Sequence, residues 1–304
     1  MMTKIKTKRG INTSNLSLHL MIWPALLIVI VFAYGPLFGL VMAFQEFSPI
    51  QGWFRSEWVG WANFMEMFIL PNFLQVIRNT FFISFMEIVL GQVMAIVVTL
   101  MLDQARNKAV RRTIQTIIYL PHFLSWVILG GILIEILSLD GVFNQVLTAM
   151  GAEPVSFLGN PKVFPWTLII SHVWKEFGFA TIVYFAALTN IDPTLYEAAE
   201  MDGAGKLKQA WYITLPGIAP IIVLVMVLSI GTLLNTGFEQ VFTLYNPVVY
   251  STGDILDTFI YRLGLVQSRY SLAAAVGIFK SLISTIFVSA SYFIAYKVAD
   301  YRIF

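Results

Sequence analysis

Residues 196–216 read YEAAEMDGAGKLKQAWYITLP, Tyr196 to Pro216, and form a polar island in an apolar chain. Glu197, Glu200, Asp202, Lys206 and Lys208 stand between two long apolar runs, 164–190 and 217–238. A charged, glycine-broken piece between runs of that length belongs in water, while its flanks belong in lipid. Deciding that the flanks cross a membrane decides the fold.

The rest of the chain agrees. It has 304 residues, of which 58% are hydrophobic and 12% charged, and its mean hydropathy is +0.77. A soluble core of this size cannot hide so much apolar surface. A net charge of +2 gives no footing for a nucleic-acid partner, and the absence of cysteine excludes disulfides, thiolate catalysis and Cys-ligated metals. His19, His122 and His172 are too far apart in sequence for a metal-ligand spacing, so no metal site is expected.

A helix needs about 20 mostly apolar residues to cross the hydrocarbon. Six runs qualify: Leu18–Phe44, Asn79–Leu102, Thr113–Leu137, Phe164–Asn190, Gly217–Phe238 and Leu272–Tyr296. The short-strand alternation of an outer-membrane barrel is absent. Basic residues set the orientation. Lys4, Lys6, Lys8, Arg9, Arg106, Lys108, Arg111, Arg112, Lys206, Lys208, Lys297 and Arg302 fall on one side, against Arg55, Arg78, Lys162, Arg262 and Arg269 on the other. Both termini and the 196–216 island are therefore expected in the cytoplasm. The first run is too long for a signal-peptide core and lacks a small-x-small cleavage site, so it reads as a retained helix. The expected organisation is a cytoplasmic tail over 1–17 and one membrane domain over 18–304. Trp53, Trp58 and Trp61 in an external connection suit either an interfacial belt or a protein contact.

Within the island, Asp192-Pro193 is a helix-start signal, with Asp as N-cap and Pro at the first helical position. Thr194–Asp202 reads as a short helix, Gly203 as a sharp turn, and Lys206–Tyr212 as a second short helix before Pro216 opens the fifth span. A compact knob results, with carboxylates beside the small Ala198 and Ala199.

The fuller pattern resembles the permeases of binding-protein-dependent ABC importers, whose cytoplasmic motif runs E-A-A, three residues, G, nine residues, I-x-L-P. Glu197, Ala198, Ala199, Gly203, Ile213, Leu215 and Pro216 occupy those positions. Asp202 and Ala204 match the E-A-A-x-x-D-G-A form of the carbohydrate-uptake, maltose-permease-like members, while Ala210 stands where many members have Phe. The resemblance extends through VGWANF (59–64), RNTFFIS (78–84), YLPHFLSWVILGGI (119–132), DGVFNQVL (140–147) and the 237–265 segment, a family core of about 75–297. That last segment, with LYNPVVY, is similar to the polysaccharide or alginate-type oligosaccharide importer permeases.

The resemblance implies an all-α integral membrane protein with the type I ABC importer fold and a coupling helix in the 192–216 loop. It also implies a bacterial cell-membrane location, a second permease subunit that is a different chain, two ATP-binding subunits carrying ATP and Mg, and an extracytoplasmic sugar-binding protein. The chain itself is then no enzyme and holds no cofactor. GAGKL (203–207) is not a phosphate-binding loop, because Glu200 stands at the first glycine position and Leu207 follows the lysine.

Two groups are candidates for the substrate path. Trp174, Lys175 and Glu176 lie mid-way along the fourth run, as a polar lining, as a pair satisfied against a neighbouring helix, or as a break in the helix. At the outer end of the fifth run, Asn235, Glu239 and Gln240 fall on one side of a helix, with Phe238, Phe242 or Tyr245 as a ring to stack on a sugar, or else as a wetted helix end with interfacial aromatics. Pro121 predicts a kink in the third run, and Lys280 is expected to snorkel. The alternative of an ion-coupled secondary transporter lacks an inverted repeat of broken helices and paired mid-membrane acids. An intramembrane enzyme lacks its nucleophile or metal constellation.

Overall fold

The computed structural model describes residues 13–299 except 106 and 236. Lys4, Lys6, Lys8, Arg9, Arg106 and Arg302, which bear on the orientation, lie outside the described residues. Helix α1 starts at Thr13 within the expected tail, spans Thr13–Val29, and runs through a π turn and a 3₁₀ segment to Phe44. Strands β1 (Gln45–Glu46) and β2 (Glu57–Trp58) pair antiparallel around the short α2 (Gly52–Arg55), and α3 (Ala62–Ile69) follows. Phe44 stacks on Trp58 with ring centroids 5.7 Å apart and meets Trp61 edge-on.

The core begins with α4 (Phe73–Asp103), 31 residues long. Next come α5 (Lys108–Tyr119), a 3₁₀ turn over Leu120–Phe123, α6 (Trp126–Ile136), α7 (Val142–Ala149) and α8 (Phe164–Leu188). Then α9 (Pro193–Met201) and α10 (Lys206–Gln209) lead through a π turn into α11 (Leu215–Gly231). The short α12 (Phe238–Leu244), α13 (Tyr250–Gly253) and α14 (Leu256–Tyr261) precede the closing α15 (Tyr270–Ala299).

Among the described residues, four helices are long and apolar enough to cross a membrane: Leu20–Phe44, Phe73–Asp103, Lys206–Gly231 and Tyr270–Lys297. A fifth crossing is added if the bent pair Lys108–Phe123 and Trp126–Ile136 counts as one. Helix α8 is not among the four, because Ser171, His172, Lys175 and Glu176 dilute its apolar character.

Three readings are corrected. The third run is not one helix: α5 and α6 meet at 103°. Pro121 cannot donate to a helical ladder, and Ser125 caps a new helix by accepting from the Ile128 N–H at 3.3 Å. The fifth helix ends at Gly231 rather than Phe238. A 3₁₀ turn (Leu233–Asn235) and left-handed Gly237 follow, so Asn235 and Glu239 do not share a helix face. Lys280 does not snorkel; its Nζ sits 2.5 Å from Asp257 Oδ1.

Helices α4 and α8 form the central pair. They carry the buried Thr80, Thr99, Ser171 and Thr181, whose hydroxyls donate to carbonyls of their own helices. Polar atoms satisfied in this way let two helices approach within lipid. One apolar cluster joins Phe73 and Val76 to Leu256, Phe259, Leu272 and Val276. Another joins Ile83 to Phe164, Leu168, Val241 and Ile255. The 246–262 segment is stitched to α4: Asn79 donates to the Ser251 and Asp254 carbonyls, and Leu256 N–H donates to Thr80 at 2.9 Å.

Candidate functional site

The knob is built as a cap, a helix and a turn. Asp192 accepts from the Thr194 N–H at 2.9 Å, and Pro193 occupies the first turn of α9. That backbone hydrogen bond holds the exposed Asp192 carboxyl below the ordinary range. At its C-terminus α9 ends on Gly203 with φ +76°, and Ala204 N–H closes back on the Ala199 carbonyl at 2.8 Å. Lys206 bonds Glu200 at 2.7 Å and keeps that carboxyl low. Gln209 is buried, donates to the Ala204 carbonyl and accepts from Lys206. Tyr196 meets Thr214 at 3.0 Å, tying α9 to the base of α11.

The second arm differs from expectation. Lys206 to Gly231 is one continuous helix through the π turn at Ala210–Thr214. Pro216 falls inside that helix, in the first turn of α11, and opens no break. Glu197, Ala198, Asp202 and Gly203 are exposed, whereas Ala199, Ala204, Ile213 and Leu215 are half-buried and Pro216 is exposed. Met201 and Leu207 present 89% and 82% of their surface to solvent. Two apolar tips on a polar knob suit a protein contact. Behind it, a cleft of about 430 Å³ runs between the end of α4 (Asp103, Gln104) and Tyr196, Glu200, Lys206 and Gln209.

The candidate path residues do not come together. Gln240 is fully buried and donates to the Leu168 carbonyl at 2.7 Å and to Ser171 Oγ at 2.9 Å, so it bolts α12 to α8. Asn235 and Glu239 are exposed, and half-buried Tyr245 packs on Tyr250 with ring centroids 5.0 Å apart. Trp174 lines an apolar cleft of about 550 Å³ with Trp166, Ile132 and Ile170. Lys175 is 6% exposed and bonds Glu176 at 2.8 Å and the His122 carbonyl at 3.0 Å.

A cavity of about 250 Å³, mostly apolar but bordered by several polar side chains, was missed by the sequence reading, apart from Glu176. Glu87, Gln92, His172, Glu176, Ser229 and Thr232 line it between α4, α8 and α11. His172 Nδ1 lies 3.8 Å from Glu87 Oε1, and Gln92 donates to Ser229 at 3.4 Å. The signal was available, since Glu87 is a lone carboxyl in the middle of the second apolar run. Among the described residues, no group of three His, Asp or Glu side chains is placed to hold a metal ion.

The sequence signature described as "Binding-protein-dependent transport system inner membrane component" matches residues 88–300. The chain belongs to that family. Within it, this permease is 38% identical over 288 residues to the polygalacturonan/rhamnogalacturonan transport system permease protein YteP of Bacillus subtilis, covering 94% of this chain and 90% of that one. Protein LplB of the same organism is 38% identical over 281 residues, covering 92% and 88%. A chain in the crystal structure of a bacterial ABC transporter involved in the import of the acidic polysaccharide alginate superposes with TM-score 0.85 at 37% identity, over 94% of this chain and 97% of that one. The same fold recurs, at TM-score 0.85 and 36% identity, in that alginate transporter in complex with alginate pentasaccharide-bound periplasmic protein. The permease is thus a multi-pass, predominantly helical membrane protein of a transport family rather than of an enzyme family.

Proposed function

We propose that this chain is a permease subunit of an ATP-driven importer that moves oligosaccharides across a bacterial cell membrane. It crosses the membrane six times with both termini in the cytoplasm, and residues 18–304 form one membrane domain. It pairs with a second, different permease chain and rests on two ATP-binding subunits that carry ATP and Mg. An extracytoplasmic sugar-binding protein delivers the cargo. The sugar assignment rests on relatives whose names specify polygalacturonan/rhamnogalacturonan and alginate.

One observation carries the reading. The α9–Gly203–α10 knob presents Glu197, Ala198 and Asp202 on a short helix that is capped, closed by its own turn and bonded to the base of α11. A knob this firm passes a push from a partner into the membrane helix, whereas a loose loop would absorb it. Candidate cargo contacts are the polar groups around the 250 Å³ cavity together with Asn235, Glu239 and Tyr245.

Two substitutions test this. Gly203→Pro cannot adopt φ +76°, because proline holds φ near −65°. Glu197→Lys reverses an exposed charge. Each is co-purified with the candidate ATPase chains and assayed for ATPase retention and for binding-protein-stimulated ATP hydrolysis. Loss of either with the permease still folded is the expected outcome. Full stimulated hydrolysis in both variants would reduce the knob to a connection and remove the main support for the importer reading.

A further inference from the structure

The break between α5 and α6 frees backbone groups within an apolar region, where an unbonded carbonyl is costly. A single turn of α8 meets that need. Lys175 Nζ donates to the His122 carbonyl at 3.0 Å and to Glu176 Oε1 at 2.8 Å, and it lies 5.6 Å from the Trp126 ring centre. Glu176 Oε2 accepts from His122 Nδ1 at 2.7 Å. The His122 imidazole lies flat on Phe179, with centroids 4.1 Å apart and planes 8° apart. Gly178 brings the α8 backbone against the Ile118 carbonyl, where a built Cβ would stand 1.9 Å from the oxygen. Residues 175–179 thus grip the end of α5, the break and the start of α6.

From this geometry we infer that Lys175 is a positioning residue for transport: it locks the 120–123 break to α8, so that α5, α6 and α8 move as one body. The inference rests on the importer reading and adds to it a part that does not touch cargo. A cargo-binding ammonium needs a free donor facing a cavity. Lys175 directs its ammonium at a carbonyl, a carboxylate and an indole face, and it does not line the cavity that its neighbour Glu176 borders. A lysine suits the freed carbonyl of His122, since an ammonium supplies several donors at one point.

The chain has no cysteine, so a labelled pair can be introduced cleanly. Spin labels at Val127→Cys on α6 and Val183→Cys on α8, both exposed, report the joint. Distances are measured in the permease–ATPase complex in lipid nanodiscs, without nucleotide and after trapping with ATP and vanadate. The expected result is one narrow distribution, unchanged by trapping. Lys175→Met broadens it and lowers maximal binding-protein-stimulated ATP hydrolysis by roughly tenfold, the scale at which such networks carry coupling. The half-saturating binding-protein concentration stays the same.

Adding Glu176→Gln to Lys175→Met removes the carboxylate that has lost its ammonium partner and raises thermal stability above that of Lys175→Met alone. The distribution stays broad, because the His122 carbonyl is still unheld. A distance change on trapping in the labelled chain with Lys175 intact overturns the proposal even if the variants fail to fold. So does a narrow distribution with full hydrolysis in either Lys175→Met variant. Failure of the importer reading shows separately, as a chain with Lys175 intact that retains no ATPase.

Discussion

At Gly178 the α8 backbone lies against the Ile118 carbonyl, and the lack of a side chain permits that approach. Overpacking a tight contact costs about 1–3 kcal/mol, and here the obstacle is backbone that cannot rotate away. Gly178→Ala should therefore lower the melting temperature of the detergent-solubilised protein, while Gly91→Ala, with nothing within 4 Å, should leave it unchanged or raise it. Equal melting temperatures would mean that the α5–α8 contact yields freely. At this same scale the sequence was read unevenly. Gly203 and Asp192 declare their roles through residue type, because a turn and a cap are local events. Gln240 does not, because the same amide that suits a sugar hydroxyl also suits the Leu168 carbonyl, and only packing chooses between them.

Helix α9 is short, and a short helix depends on its ends. The Asp192 carboxyl accepts from the Thr194 N–H only well as an anion, and its folded pKa lies below the ordinary 3.8. The capping contribution is thus complete above about 3.8, the unfolded value, and is lost as pH falls through the lower folded value. Amide exchange at Thr194 and Leu195, scaled for intrinsic rate, should show protection that is steady from neutral pH to 4 and declines below it. In Asp192→Asn, which caps without ionising, the decline should disappear. If both chains lose protection alike, the cap does not set the stability of this helix. The third apolar run teaches a related lesson about elements. Pro121 marks a defect and Ser125 a restart, so the break was legible, but its size was not. A 103° bend survives because the Lys175–Glu176 turn of α8 satisfies the groups it exposes. Conversely, the pause expected before Pro216 is absent, since the π turn at Ala210–Thr214 adjusts the ladder just ahead of the proline and lets one helix run from Lys206 to Gly231.

At the scale of the molecule, orientation is the consequence most open to direct test. Single cysteines at Met201 and Phe54, exposed at 89% and 98%, sit on opposite sides if both termini are cytoplasmic. In intact cells a membrane-impermeant maleimide should label Phe54→Cys and spare Met201→Cys until the membrane is opened. The reverse pattern would invert the topology and place the knob outside. The most apolar window of Leu20–Phe44 has none of its residues buried, so lipid or another chain must cover it.

By itself, the sequence determined the membrane class, the helical content, the knob and the family resemblance. Each of these depends on composition or on spacing within one segment, and such signals survive without a third dimension. Tertiary structure alone decided which partners the polar residues inside the apolar runs meet. It joined Lys175 to the His122 carbonyl at a broken helix, and Gln240 to the Leu168 carbonyl. It also gathered Glu87, Gln92, His172 and Ser229 from three helices around one cavity. The reason is physical. A polar group in an apolar setting must find a partner, and the sequence states the need without stating which helix will meet it.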